Sequence, residues 1–245
     1  MLLPTIATIT DDYLFGIPFV DENGNELGYP IVNDWIERSV AWLETELQVC
    51  IHPTAVSEFH DYYLDEYTQF CYVQLYQYPV ISVESFKASY AGQDIMTFPQ
   101  NWIRIYKSTG QLQLVPTTGS LSQVLLGSGS GVLLPLITNR LASMPHLFEV
   151  AYTAGFAEGA VPADICDIIC MKTCIGILNI LGDILLGAGI ASQSVSIDGL
   201  SESIGTTQSA ENSAYSARIR QFERQIKAQL PNLRARYKGI RLTVG

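Results

Sequence analysis

Cys166, Cys170 and Cys174 recur at every fourth position of one apolar stretch, a spacing that sets three thiols along a single stripe of a helix. Thiolates so placed could ligate a metal or a cluster. The stripe spans roughly 12 Å at a rise of 1.5 Å per residue, however, too far for three thiols to close on one tetrahedral ion unless other ligands help. Three readings remain, namely core packing, an inter-subunit disulfide and a metal site, and core packing is favoured because free cysteine is among the most buried residue types. The chain has 5 cysteines, an odd number with no CxxC pair, which suits a reducing compartment.

The other residues that could do chemistry are scattered. His52, His60 and His146 show no HExxH or HxH pattern. Gly127-Ser-Gly-Ser-Gly131 lacks the Lys-Ser/Thr that a phosphate-binding loop places after its last glycine, and it lacks the strand-turn-helix setting of a nucleophile elbow. It reads as a flexible loop tip. The acidic run at 58–66, with Glu58, Asp61, Asp65 and Glu66, could hold a cation through paired carboxylates, but a charge run is more often a solvated or subunit-facing rim. No nucleophile, general base, cofactor site or metal site is nominated, and the expectation is a protein without catalytic residues.

Charge narrows the classes further. The net charge is −10, yet eight of the 14 basic residues lie at or beyond Arg218, with Glu223 the single carboxylate among them. The remainder is strongly acidic, which argues against duplex binding, since that is carried by cationic side chains that displace counterions. A basic end on an acidic body is suited to docking on an acidic protein surface. Charged residues make up only 16% of the chain while tyrosines number 13, a surface suited to meeting other protein. Met1–Thr5 carries no basic n-region or apolar h-region, so folding in the cytoplasm is expected. The run Ile165–Ile190 is broken by Asp167, Lys172 and Asp183 and reads as a buried helix, not a membrane span.

The elements that must position these residues follow from periodicity, which predicts an α+β chain with an inserted antiparallel β module. Residues 1–33 read as an extended arm with a turn at Asn23-Gly24. A helix follows, with Asp34 as N-cap, Glu37 as its capping-box partner, and Ile36, Val40, Leu43 and Leu47 on one face. Between residues 51 and 146 the period changes to two: Cys71, Val73 and Leu75 alternate with Phe70, Tyr72 and Tyr76, so that both faces could be covered. A change of parity near Glu84-Ser85 predicts a bulge, and Trp102–Lys107 and Gln111–Val115 read as strands. After a strand at Leu147–Thr153, Pro162 and Asp164 open a helix to about Gly182 that has almost no polar face and so must be enclosed, in part by a neighbouring subunit. Residues 187–211 read as a Gly/Ser/Thr-rich loop or hairpin. Residues 212–245 read as a basic helix striped with Tyr215, Ile219, Phe222, Ile226 and Leu230 and ended by Pro231, then a terminal strand, Ile240–Val244.

The order of these segments, with Tyr78–Phe86, Gly110–Pro116 and above all Tyr152-Thr-Ala-Gly-Phe156 followed by Val161-Pro-Ala-Asp-Ile165, resembles the head-tail connector, or adaptor, family of tailed bacteriophages. The likeness covers about residues 34–182, with a connector core at 34–50 and 147–186. It implies a virion neck protein assembled in the host cytoplasm. Such a protein forms a ring with itself, a dodecamer in that family, beneath the portal protein. A tail-side stopper or tail-completion protein lies on the other side, and genomic DNA passes through without specific binding. No catalytic residue, cofactor or membrane association comes with the resemblance. An acidic body also suits a channel in which DNA must slide. On this basis Ile168, Ile175 and Leu178 are expected to pack the ring, and Tyr215, Ile219, Phe222, Arg224, Arg234, Arg236 and Arg241 to form a portal-docking arm. The alternative is a β-rich tail or baseplate module that binds a host surface glycan through its tyrosines.

Overall fold

The computed structural model describes residues 2–15, 17, 20, 29–68, 71–115, 141–186, 192–197, 200–205 and 215–237. A single wide helical turn, Thr8–Tyr13, precedes α1 (Tyr29–Leu47), β1 (Thr54–Tyr63), α2 (Leu64–Thr68), β2 (Val73–Gln74), β3 (Val80–Tyr90) and β4 (Gln93–Thr97). A short 3-10 turn, Gln100–Trp102, leads to β5 (Ile103–Tyr106), β6 (Gln111–Leu114), β7 (Ser143–Ala154), α3 (Ala163–Leu186), β8 (Ser192–Ile197), β9 (Leu200–Gly205) and α4 (Ser216–Tyr237). The architecture is α+β with a long apolar helix. It divides into a helical unit, residues 1–48 and 159–245, and a β unit, residues 49–158.

In the helical unit, α1 and α4 both pack on α3. The apolar stripe of α1, with Val32, Ile36, Val40, Leu43 and Leu47, is buried there, and Trp42 lies near Lys172 while Trp35 lies near Gly176, so α1 runs antiparallel to α3. The Trp35 indole packs directly on the backbone of Gly176, where a Cβ would lie only 2.3 Å from the ring's Cε3. The polar groups at this crossing satisfy each other. Ser39 Oγ donates to the Trp35 carbonyl at 2.7 Å, and Thr173 Oγ1 donates to Ser39 Oγ at 3.0 Å. Strands β8 and β9 pair antiparallel from Ser192↔Gly205 to Ile197↔Leu200; the rest of the stretch 187–211 lies outside the described residues.

Several boundaries differ from the sequence expectations, each for a physical reason. Helix α1 begins at Tyr29, so Asp34 lies inside it and is not its N-cap; Pro30 sits in the first turn, where its missing N–H removes no helical hydrogen bond. The N-terminal arm is not wholly extended, because Ile9, fully buried, and Leu14 fold the Thr8–Tyr13 turn onto the unit. Pro231 does not end α4, which continues to Tyr237 because Leu233 is buried and the residues after it are anchored. The stretch 147–154 belongs to the β unit, as part of a strand paired on both sides, so the second piece of the helical core starts later than residue 147. The Asn23-Gly24 turn, Phe70, the glycine-rich run 127–131 and the terminal strand 240–244 lie outside the described residues.

The β unit holds a four-stranded antiparallel sheet ordered β1-β7-β3-β4 and a three-stranded one ordered β2-β6-β5. The β3–β7 register shifts between Val83 and Ser85, where the parity change predicted a bulge. The core is aromatic: the Phe148 ring lies 5.2 Å from Phe86 and 5.8 Å from Tyr62, centroid to centroid. Val73, Leu75, Leu112 and Leu114 cover this core from the smaller sheet.

The chain leaves the β unit through a fixed turn. Gly155 has φ +110° and its backbone lies so close to the His52 carbonyl that no Cβ fits. Its N–H donates to Pro79 O at 2.8 Å, and the Phe156 N–H donates to Ile51 O at 3.1 Å. Replacing Gly176 by alanine is expected to lower the stability of the helical unit by about 1–3 kcal/mol through overpacking against Trp35, measured as a lower denaturant midpoint with an unchanged slope.

Candidate assembly surfaces

Among the described residues α3 is long and apolar enough to cross a membrane by composition. Its faces are nevertheless covered by the chain itself. Ile168 and Leu178 are 0% exposed and Ile175 is 9% exposed within one copy. These three residues, expected to pack the ring, are therefore internal to the helical unit: α1, α4 and the Thr8–Tyr13 turn supply the enclosure that a neighbouring subunit was expected to share.

The same holds for much of the expected docking arm. Ile219, Phe222, Ile226 and Leu233 of α4 are buried, Phe222 beside the Tyr13 ring at 6.4 Å, so the stripe already has a partner in its own chain. Tyr215 is half-buried at the start of α4, where its carbonyl accepts from the Ile219 N–H at 3.1 Å. Arg234 pairs with Glu46 of α1, and Arg236 Nη1 donates to Asp164 Oδ2 at 2.9 Å, with Tyr237 Oη donating to the same carboxylate at 3.2 Å. Arg224 is exposed, and Arg241 lies outside the described residues. The sequence did not reveal that Glu46 and Asp164 would take up two of the arginines, because those ion pairs join positions far apart in the chain.

The cysteine stripe faces inward, with Cys166, Cys170 and Cys174 all buried free thiols. Burial pushes the Cys170 thiol up from its ordinary 9.0 to about 12, against the opposing effect of a hydrogen bond with Tyr13. Cys174 and Cys166 are also raised, again chiefly by burial. The Tyr13 hydroxyl donates to Asp167, whose other oxygen accepts from Gln229 Nε2 at 3.2 Å. Burial, then that carboxylate, holds Tyr13 neutral far above the usual phenol range. These groups tie the N-terminal turn and α4 to α3. Among the described residues no three His, Cys, Asp or Glu side chains converge for a metal ion.

Among the described residues of the β unit the buried carboxylate belongs to Glu58, 8% exposed on β1. It accepts from Tyr152 Oη at 2.9 Å and from the Tyr76 backbone N–H at 3.0 Å, and lies 2.7 Å from His60 Nε2. Tyr152 Oη in turn accepts from the Gln77 N–H at 2.9 Å. A buried carboxylate is tolerated only when its lone pairs are engaged, and here they hold the Tyr76–Gln77 backbone to the sheet. The sequence did not separate Glu58 from its acidic run; the available signal was its inward phase with Val56, His60 and Tyr62. Asp61, by contrast, is exposed and accepts the His146 N–H at 2.9 Å.

Two exposed features of this unit remain. On the outer face of the smaller sheet Tyr72, Tyr76 and Tyr106 stand exposed with Arg104, so the aromatic face is open and not covered. An open hollow of about 400 Å³ is lined by Phe59, Tyr90, Asp94, His146 and Glu149. His146, at φ 52°, lays its ring 6.2 Å from Phe59.

The chain matches no protein-family model and no curated protein. It is similar in structure to a chain from the neck of an empty GTA particle computed with C6 symmetry, at 13% identity over 69% of this chain and 75% of that one, TM-score 0.41. It is also similar to a chain from the neck of a native GTA particle computed with C12 symmetry, at 11% identity over 58% and 67%, TM-score 0.35.

Two outcomes are expected from this geometry. Phe222→Ala should lower stability by about 3–5 kcal/mol, as for other buried aromatics, whereas Arg224→Ala should leave the denaturant midpoint unchanged. The native Cys170 thiol binds its proton more tightly than the unfolded one, so the unfolded state binds fewer protons between about pH 9 and 12 and stability falls as pH rises through that window. Cys170→Ala should flatten this slope in alkaline melts, and the thiols of Cys166, Cys170 and Cys174 should react with a maleimide only on unfolding.

Proposed function

We propose that this chain is a structural subunit of the neck of a tailed, phage-like virion. It would form a homo-oligomeric ring under the portal that joins capsid to tail and continues the DNA channel, with no catalytic role. The observation that carries this reading is the built junction at 152–165. Tyr152, Gly155 and Phe156, by which the sequence resembles the connector family, each hold a specific partner, Glu58, Pro79 O and Ile51 O respectively. Val161 is buried, and Asp164 at the start of α3 receives Arg236 and Tyr237 from α4. A helix–β unit–helix chain with this junction fits a connector subunit whose long helix is clasped before assembly. The ring is expected to be a dodecamer by the same resemblance, with a tail-completion protein below it and the genome sliding past an acidic wall. Assembly would take place in the host cytoplasm.

A second reading, a tail module that binds a host glycan, is favoured by one feature: the hollow that combines Phe59, Tyr90 and His146 with the carboxylates of Asp94 and Glu149. The two separate cleanly. Negative-stain images of the purified chain, alone and mixed with its portal, are expected to show closed rings with a central pore, and gel shifts at physiological salt are expected to show no duplex affinity. Monodisperse monomers that leave the portal unbound and retain carbohydrate would support the second reading instead, and a DNA affinity that falls steeply with salt would overturn the passive channel.

A further inference from the structure

We infer that neighbouring copies dock through the helical unit, with the exposed basic stripe of α4 on one copy laid against the exposed acidic stripe of α1 on the next. The inference rests on the ring reading above and names the two faces that would close it. Helix α4 carries six basic side chains and one carboxylate, and α1 carries four carboxylates and one arginine. Arg220, Arg224 and Lys227 follow at intervals of four and three, so they share one face, and all three are exposed. Asp34 and Glu37 are exposed on α1, with Glu44 half-buried two turns further along the same side.

The chain already uses this complementarity internally. Arg234 and Arg236, at the end of α4, are held by Glu46 of α1 and Asp164 of α3. The same two helices carry the outward charges. Two different faces of opposite sign on one protomer make a head-to-tail contact, the kind that closes into a ring when the rotation per copy is right. Exposed ion pairs contribute little affinity one by one. A run of them sets register and orientation and excludes wrong partners, because like charges brought face to face repel. A second copy of this chain accounts for both faces at once, whereas nucleic acid would use the basic face and leave the acidic one without a role.

The test is charge reversal with rescue by mixing. A basic-face variant, Arg224→Glu with Lys227→Glu, and an acidic-face variant, Asp34→Lys with Glu37→Lys, are each followed by sedimentation velocity at low and high salt. Each alone is expected to weaken self-association by at least about tenfold, and the wild type is expected to weaken with salt. Mixed in equal amounts, the two variants should assemble again, since each then presents the sign the other lacks. A folding defect would not be rescued in this way. Variants that assemble alone like the wild type overturn the docking faces and leave the ring standing, as does a mixture that stays dissociated, or a basic-face variant that loses only affinity for a DNA duplex probe. Wild-type chain that is monomeric at every concentration, with or without portal, overturns the ring itself and this inference with it.

Discussion

A helix of 24 residues with almost no polar face is the constraint from which the rest of the helical unit follows. Such a helix cannot be left facing water, and two amphipathic helices with a short N-terminal turn are what the chain provides to cover it. The covering pieces come from residues 1–48 and from beyond 159. The β unit is therefore an insertion in sequence between α1 and α3. Close packing fixes a glycine within each unit, Gly155 against the His52 carbonyl in the β unit and Gly176 against the Trp35 indole in the helical unit.

Enclosure of this kind decides how polar groups are treated. Inside the helical unit, two such sets are satisfied among the described residues: Thr173 with Ser39 and the Trp35 carbonyl, and Tyr13 with Asp167 and Gln229. Glu58 plays the same part in the β unit, exchanging the cost of a buried carboxylate for the orientation of a loop. At the ends of the helices, where water is near, the groups become ion pairs such as Arg236 with Asp164. These sets link segments distant in sequence, and they specify which segment packs where more than they add to stability.

Local pattern made the elements legible. The apolar stripes of α1 and α4, the alternation of Val73 and Leu75 with Tyr72 and Tyr76, and the bulge in β3 could all be read from period and parity, because those depend on near neighbours. What could not be read was tertiary. Pro231 reads as a stop, yet a helix tolerates it where Leu233, Arg234 and Arg236 are held from outside the helix, offsetting a cost of about 3 kcal/mol. The partner of the α4 stripe was legible as a need and not as an address: a stripe says that it must be covered, while only the fold shows that α3 of the same chain covers it. Glu58 was hidden for a related reason, since β1 carries Phe59 and Tyr63 outward and Tyr62 inward and so has no clean polar phase.

That α3 is covered by its own chain changes the kind of assembly this protomer can undergo. Had α3 awaited a neighbour, folding and ring formation would be one event, and the isolated protomer would expose a large apolar patch with the aggregation such patches bring. With the helix already enclosed, the protomer has a core of its own to fold around, and among the described residues α1 and α4 present charged side chains outward. Contacts made from such surfaces are sensitive to salt, directional through the placement of charge, and weak singly. In the proposed ring such contacts gain strength from closure and from repetition, and a portal that raises the local concentration of copies would favour closure further.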